Sequence, residues 1–169
     1  DLARQVLAKD GPAYGAAVER FGDGIVQPDG EIDRAALAEI VFSDPRARAD
    51  LNSITHPHII AAMGRTIDEF RKNPPAPDAI LVAEIPLLIE CGLTDMVDEV
   101  LVVAAEPETQ QRRLTTRSNL TAEEARRRID AQMPIRLKVD RADRVIWNNG
   151  SIDDLRKSVR AVWDEMHLP

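Results

Sequence analysis

The chain has 169 residues, of which 44% are hydrophobic, and it carries a formal net charge of −7. This size and composition predict one domain, or one domain with a small insert, and the acidic balance argues against wholesale electrostatic binding of nucleic acid. The single cysteine, Cys91, excludes an internal disulfide, and no apolar run is long enough to span a bilayer, so a cytoplasmic location without a membrane partner is predicted.

The first half of the chain is predicted to be helical. Apolar spacing predicts short helices in DLARQVLA, AYGAAVERF and RAALAEIVF, and a turn at Asp29 and Gly30. Proline near the first turn predicts two further helices, SDPRARADLNSI and THPHIIAAMGRTIDEF, the second beginning at Thr55 or His56. Because no capping residue precedes DLARQVLA, we expect sequence upstream of residue 1. Short helices joined by tight breaks suggest a subdomain that forms a pocket.

The second half alternates strands with helices after the proline-rich connector NPPAPD. Apolar runs predict strands in AILVAEI, DEVLVVAA and DRVIW. Helices are predicted in PETQQRRLTTR, TAEEARRRIDAQ and SIDDLRKSVRAVWDEM, and the last two open with capping boxes, Thr121 with Glu124 and Ser151 with Asp154. This alternation predicts an α/β fold with a parallel sheet.

Ligands bind beyond the carboxyl ends of parallel strands, which makes two glutamates candidates for a cleft. Glu84 lies near the end of the first predicted strand, and Glu90 lies in the loop that leaves it. The alternative is that Glu84 pairs with a buried arginine while Glu90 is a solvated loop residue. Position alone does not separate these readings.

Arginines are concentrated on two consecutive predicted helices, and their rigid forks suit phosphate oxygens. Arg113 and Arg117 share one helix face by spacing. For most of these arginines a solvated face paired with nearby glutamates is the better interpretation. The loop WNNGS, with Asn148 and Gly150, follows the last predicted strand and is suited either to holding a purine or to an ordinary strand-to-helix turn.

These residues together resemble the dephospho-coenzyme A kinase family. The resemblance rests on the order and spacing of RFGDGIVQPDGEIDRAALAEIVFSDP, LNSITHPHI, EIPLLIECGL, DEVLVVAAEPETQQRRLTTR, LTAEEARRRIDAQMP and RADRVIWNNGS. It implies a P-loop NTPase-like parallel sheet with helices on both faces, a helical substrate-binding subdomain and a helical lid. Residues 1–77 would form the coenzyme A-binding subdomain, and residues 78–169 the nucleotide-binding core with lid helices at about 108–138.

The resemblance also implies a reaction and a set of site residues. ATP, with Mg²⁺, would phosphorylate the ribose 3′-hydroxyl of dephospho-coenzyme A in a monomer or weak homo-oligomer. The candidates fall into a lid that stabilises phosphate charge, an acceptor pocket and an adenine loop. They are Arg113, Arg117 and Lys138 for the lid, Arg34, His56, Glu84, Pro86, Leu87 and Glu90 for the pocket, and Asn148 and Gly150 for the adenine.

The chain departs from the family pattern in its first part. The family opens with a phosphate loop, G-x-x-G-x-G-K-[ST], and a second strand ending in D-x-D, and residues 1–169 contain neither. We therefore expect an incomplete, inactive chain that lacks the first strand, the phosphate loop and the second strand. The absent first strand would lie between residues 79–84 and 99–104, and its loss would leave two long apolar edges without a partner. Another small-molecule or nucleotide kinase of this fold and a non-catalytic coenzyme A-binding module are the alternative functions.

Overall fold

The computed structural model describes residues 2–118 and 120–166. The chain divides into two compact units, of which the first ends at Leu81 and the second begins at Val82. Within the described residues, every helix is either too short or too polar to cross a lipid bilayer. Each unit has its own buried residues, so each is described by itself.

The described residues of the first unit form four α-helices around a small aliphatic core. The predicted turn at Asp29 and Gly30 is present, and the Tyr14 hydroxyl fixes it by donating to the Gly30 carbonyl at 2.7 Å. Gly30 has a φ of 86°, a left-handed conformation that favours glycine. The core consists of Ala17, Ile25, Ile32 and Leu37. The helices are α1 (Leu2–Val6), α2 (Tyr14–Phe21), α3 (Arg34–Ser43) and α4 (Pro45–Lys72).

The prediction of a helix break before Pro57 is wrong. A single 28-residue helix, α4, runs from Asp44 as its N-cap through Pro57, which lies inside it. An interior proline costs about 3 kcal/mol because it removes a hydrogen bond and crowds the preceding turn. Residues buried on both sides of it, including Thr55 and Met63, hold the helix against the rest of the unit. His56 is therefore in the middle of a helix and caps nothing.

The prediction of a strand at residues 79–84 is also wrong. This segment is irregular, and Val82 is 77% exposed. A strand exists only when its backbone groups bond to a neighbouring strand, and no described strand pairs with this segment. The apolar pattern identified residues suited to a buried strand, but the described residues supply no partner for them.

The second unit contains two parallel strands with helices after each, which confirms the parallel α/β prediction. Strand β1 (Leu101–Ala104) pairs in parallel with β2 (Arg144–Trp147), and these are the second and third predicted strands. Between them lie α5 (Pro107–Ser118), α6 (Ala122–Asp130) and α7 (Ile135–Val139). Helix α8 (Ile152–Met166) packs against β2. The short helix α7 was not predicted from the sequence.

Candidate active site

The candidate site lies at the carboxyl ends of β1 and β2, the edge where parallel sheets bind ligands. The last residues of the two strands, Ala104 and Trp147, are partners in the ladder. Residues 148–150, which follow β2, form the 148–150 loop. The ladder continues into this loop, because the Asn148 backbone N–H donates to the Ala104 carbonyl at 2.7 Å. The loop is thereby fixed at the ligand-binding edge of the sheet.

Arg113 of α5 brings the predicted lid and the predicted adenine loop together. Its Nη1 donates to the Asn148 carbonyl at 2.7 Å. Its Nη2 donates to Asn148 Oδ1 at 3.2 Å and to the Gly150 carbonyl at 3.4 Å. Three of the predicted site residues, Arg113, Asn148 and Gly150, are therefore in direct contact, and the rigid guanidinium fork makes the connection.

The other side of the loop is held by a side chain that the sequence did not single out. Asn149 Oδ1 accepts a hydrogen bond of 2.8 Å from the backbone N–H of Glu106, the residue before α5. A Cβ at Gly150 would lie 2.8 Å from Asp154 Oδ2, so a side chain there would displace the Asp154 carboxylate from its present position. The loop is thus tied to the start of α5 on one side and packed against the first turn of α8 on the other.

The predicted capping box at the start of α8 fixes the end of the 148–150 loop. Ser151 Oγ donates to Asp154 Oδ2 at 2.6 Å, and the Ser151 backbone N–H donates to the same oxygen at 3.1 Å. The Asp154 backbone N–H returns a bond of 3.2 Å to Ser151 Oγ. The side-chain and backbone hydrogen bonds from Ser151 lower the pKa of Asp154, because they favour its charged form.

Replacing Ser151 with alanine is expected to lower the melting temperature at neutral pH by about 4 °C, because a capping interaction is lost. A lowered pKa in the folded state contributes stability above the ordinary aspartate pKa of about 4, and that stability is lost as pH falls through the lowered value. The difference between wild type and Ser151→Ala should therefore shrink in acid. Thermal melting followed by circular dichroism between neutral and acidic pH measures it, and a difference that stays constant would contradict this role of Asp154.

Glu90 and Lys138 form the second contact between predicted site residues. Lys138 Nζ lies 2.5 Å from Glu90 Oε1, and the two side chains are 15% and 19% exposed. Glu90 Oε1 is buried without a well-aligned hydrogen bond, so the contact is chiefly an attraction between two charges. The pair joins α7 to the turn that contains Glu90. The sequence predicted Glu90 to be either a cleft residue or a solvated loop residue, and neither prediction included Lys138 as its partner.

Pro86 and Leu87 lie in the same series of turns as Glu90, whereas Glu84 precedes it. The turns are closed by backbone hydrogen bonds, including that from the Cys91 N–H to the Leu87 carbonyl at 2.9 Å. Pro86, Leu87 and Glu84 are exposed. Glu84 belongs to no strand, and no described residue pairs with it, so it is not the buried partner of an arginine.

The arginines of α5 and α6 differ in what they contact. On α6, Arg126 pairs with Asp130 at 3.6 Å and Arg127 with Glu123 at 3.4 Å, as expected of a solvated helix face. On α5, Arg117 is exposed, and its guanidinium has no partner within residues 2–118 and 120–166. Arg117 follows Arg113 by four residues, so it lies one turn further along the same face. Its charge is therefore available to a ligand.

Arg34 and His56 lie in the first unit. Arg34 is the first residue of α3, exposed, directly after the N-cap Asp33. His56 is half-buried within α4. In the part of the chain that the structure describes, neither side chain has a hydrogen bond or ion pair. The polar atoms of both side chains are therefore available for hydrogen bonds to a bound substrate.

A parallel α/β core with an arginine-bearing helix at the carboxyl ends of its strands is an arrangement found in nucleotide-dependent phosphotransferases. The model of one protein family, dephospho-CoA kinase, matches residues 1–154. The chain belongs to the dephospho-CoA kinase family. This confirms the kinase predicted from the sequence, and at the level of the family it confirms ATP and dephospho-CoA as substrates.

Individual relatives agree with this assignment. A dephospho-CoA kinase of Symbiobacterium thermophilum is 46% identical over 153 residues, which are 90% of this chain and 62% of the relative. One from Moorella thermoacetica is 42% identical over 165 residues, 98% of this chain and 77% of the relative. The structure of a dephospho-CoA kinase from Campylobacter jejuni superimposes with a TM-score of 0.69 at 28% identity, covering 98% of this chain and 81% of that one. The chain thus spans between about three fifths and four fifths of these relatives.

Proposed function

We propose that the protein transfers the γ-phosphate of ATP to the ribose 3′-hydroxyl of dephospho-coenzyme A, the last step of coenzyme A biosynthesis. The observation that carries the proposal is the 148–150 loop, which Arg113 holds at the carboxyl edge of the parallel strands. Arg117, whose guanidinium has no partner among the described residues, lies one helical turn away. In this proposal the loop receives the base, and the neighbouring cation acts on phosphate. Membership of the family supplies the reaction.

The proposed division of labour follows the two halves of the chain. Residues 1–77 are proposed as the acceptor-binding subdomain, and residues 78–169 as the nucleotide-binding core with lid helices at about 108–138. The 148–150 loop receives the adenine through Asn148 and Gly150. Arg117 stabilises the charge that spreads over the transferring phosphoryl group, and this stabilisation is the main means of catalysis for such a transfer.

The remaining predicted residues are proposed to serve the acceptor and the lid. Among the acceptor residues, the polar side chains of Arg34, His56 and Glu84 have no partner among the described residues and suit an acceptor that carries several polar groups. Lys138 is proposed as a second cation of the lid, neutralised by Glu90 when no substrate is bound. The acceptor residues are Arg34, His56, Glu84, Pro86, Leu87 and Glu90.

Mg²⁺ is proposed to enter with ATP. Within residues 2–118 and 120–166 no group of three or more His, Cys, Asp or Glu side chains is placed to hold a metal ion. Such a set is not required, because Mg²⁺ keeps several waters and is held largely by substrate phosphates. It would neutralise phosphate charge, and no residue of this chain is assigned to it. We further propose a cytoplasmic monomer or weak homo-oligomer that binds neither nucleic acid nor membrane.

Phosphate acceptors compared in one assay test the proposed function. The gene product is incubated with ATP and Mg²⁺ and with dephospho-coenzyme A, AMP, CMP or UMP, and ADP release is followed. We expect phosphorylation of dephospho-coenzyme A and no measurable turnover of the nucleoside monophosphates. Turnover of a nucleoside monophosphate instead would indicate another kinase of the same fold. Binding of coenzyme A without turnover of any acceptor would indicate a non-catalytic module.

A further inference from the structure

Both terminal nitrogens of Arg113 donate to the 148–150 loop. Nη1 and Nη2 are the atoms that a guanidinium directs at a phosphate in a two-pronged contact. Both already donate to the 148–150 loop, one at 2.7 Å and the other at 3.2 and 3.4 Å. Nε–H and one Nη1 N–H make no contact with the loop, but a phosphate bound through both Nη1 and Nη2 would compete with the loop for Nη2. The acceptors that Arg113 serves are protein atoms.

The same loop is tied to α5 a second time. The Glu106 backbone N–H, directly before α5, donates to Asn149 Oδ1 at 2.8 Å. Arg113 lies near the middle of that helix and donates hydrogen bonds to Asn148 and Gly150, the residues on either side of Asn149. Each of the three loop residues therefore has a hydrogen bond to α5 or to the residue preceding it. The loop and the first half of α5 are held as one piece.

We infer that Arg113 is a positioning residue that holds the 148–150 loop in the shape that binds the adenine of ATP, and that it does not contact the phosphates. This inference rests on the proposed function, since it assumes that the loop is the adenine site. Without Arg113, the Asn148 and Gly150 carbonyls lose a shared donor, and binding of the base must first order the loop. The consequence is confined to ligands that carry a base.

Inorganic tripolyphosphate separates positioning from phosphate contact, because it carries the three phosphates of ATP and no base. Binding of ATP and of tripolyphosphate to the gene product is measured by calorimetry for wild type and for Arg113→Met. We expect ATP to bind about tenfold more weakly to the variant, with tripolyphosphate binding unchanged within about twofold. In steady-state assays the KM for ATP should rise by a similar factor while kcat is retained.

Two further variants serve as controls. Arg112→Met removes the same charge from the neighbouring residue, whose exposed side chain has no partner among the described residues, and should leave both ligands unaffected. Arg113→Lys keeps the charge but loses the fork, so it should restore ATP binding only in part. Thermal melting shows that each variant is folded, and nuclear magnetic resonance should show shifted amide signals for residues 148–150 in Arg113→Met.

The binding results distinguish a positioning role of Arg113 from contact with phosphate. Equal weakening of ATP and tripolyphosphate would overturn the inference in favour of phosphate contact, as would full rescue by Arg113→Lys. Unchanged binding of both ligands would make Arg113 a surface residue. A wild-type protein that binds tripolyphosphate but neither ATP nor dephospho-coenzyme A would instead contradict the proposed function.

Discussion

Replacing Arg117 with alanine is expected to lower the turnover number for dephospho-coenzyme A between about a hundredfold and a thousandfold, which is the range measured when one preorganised donor to a developing charge is removed. Arg117 is exposed and has no partner within residues 2–118 and 120–166. Its substitution therefore breaks no hydrogen bond or ion pair to the described residues, and we expect the melting temperature to change by no more than about 3 °C.

The physical reason lies in the difference between the two arginines on one face of α5. The guanidinium of Arg113 is committed to the 148–150 loop, whereas that of Arg117 is not. An arginine without a carboxylate partner among the described residues can direct its guanidinium at a ligand without giving up an ion pair. In phosphoryl transfer, the guanidinium charge acts on the equatorial oxygens of the transferring phosphoryl group. Catalysis of such a transfer consists largely of electrostatic stabilisation.

Steady-state kinetics on the gene product, together with thermal melting, checks this prediction. Arg112→Ala is the matched control, because it removes a neighbouring arginine on a different face of the same helix and should retain turnover. Arg117→Lys should recover part of the rate through its charge. If stability falls in proportion to turnover, Arg117 has a structural role. If turnover is unchanged, Arg117 is not part of the active site.

The sequence predicted elements best where the deciding interactions are local. Capping boxes bring together residues three apart, and both predicted boxes are present, at Thr121 with Glu124 and at Ser151 with Asp154. The hydrogen bonds from Thr121 lower the pKa of Glu124 in the same way that those from Ser151 act on Asp154. Such contacts depend only on spacing along the chain, which the sequence states directly.

The wrong predictions concern interactions with residues distant in sequence. Local rules place a helix boundary before Pro57, but buried residues on both sides of the proline outweigh them. Residues 79–84 have the composition of a strand, but a strand also requires a neighbour that composition does not name. A sequence pattern shows that a segment is suited to pair as a β-strand, but it does not show whether a neighbouring strand is present.

The candidate site shows the same limit. Arginines on a helix and an Asn-Gly loop after a strand were both identifiable, and parallel topology placed them at one edge. That Arg113 donates to this loop, and that Asn149 accepts from Glu106, depends on the angle of α5 to the sheet, which no local pattern encodes. The pairing of Glu90 with Lys138 was missed for the same reason.

Breaking the pair of Glu90 and Lys138 is expected to have the largest effect on stability of any substitution in the candidate site. Lys138→Met would leave the largely buried Glu90 carboxylate without a counter-charge, and we expect the free energy of unfolding to fall by about 2 to 3 kcal/mol. Glu90→Gln should cost less, because a lysine can move its ammonium group toward solvent. The double variant Glu90→Gln/Lys138→Met should regain part of the loss, since neither charge then remains unpaired.

Denaturant unfolding of the four proteins in this double-mutant cycle gives the coupling energy, which we expect to be about 1.5 kcal/mol. Strictly additive losses would show that the 2.5 Å contact contributes nothing to stability. Turnover measured on the same proteins then separates the two roles of Lys138. If the double variant regains stability while its turnover stays as low as that of Lys138→Met, the ammonium group acts on substrate as proposed. If stability and turnover recover together, Lys138 only holds α7 to the turn that contains Glu90, and the phosphate charge is left to Arg117.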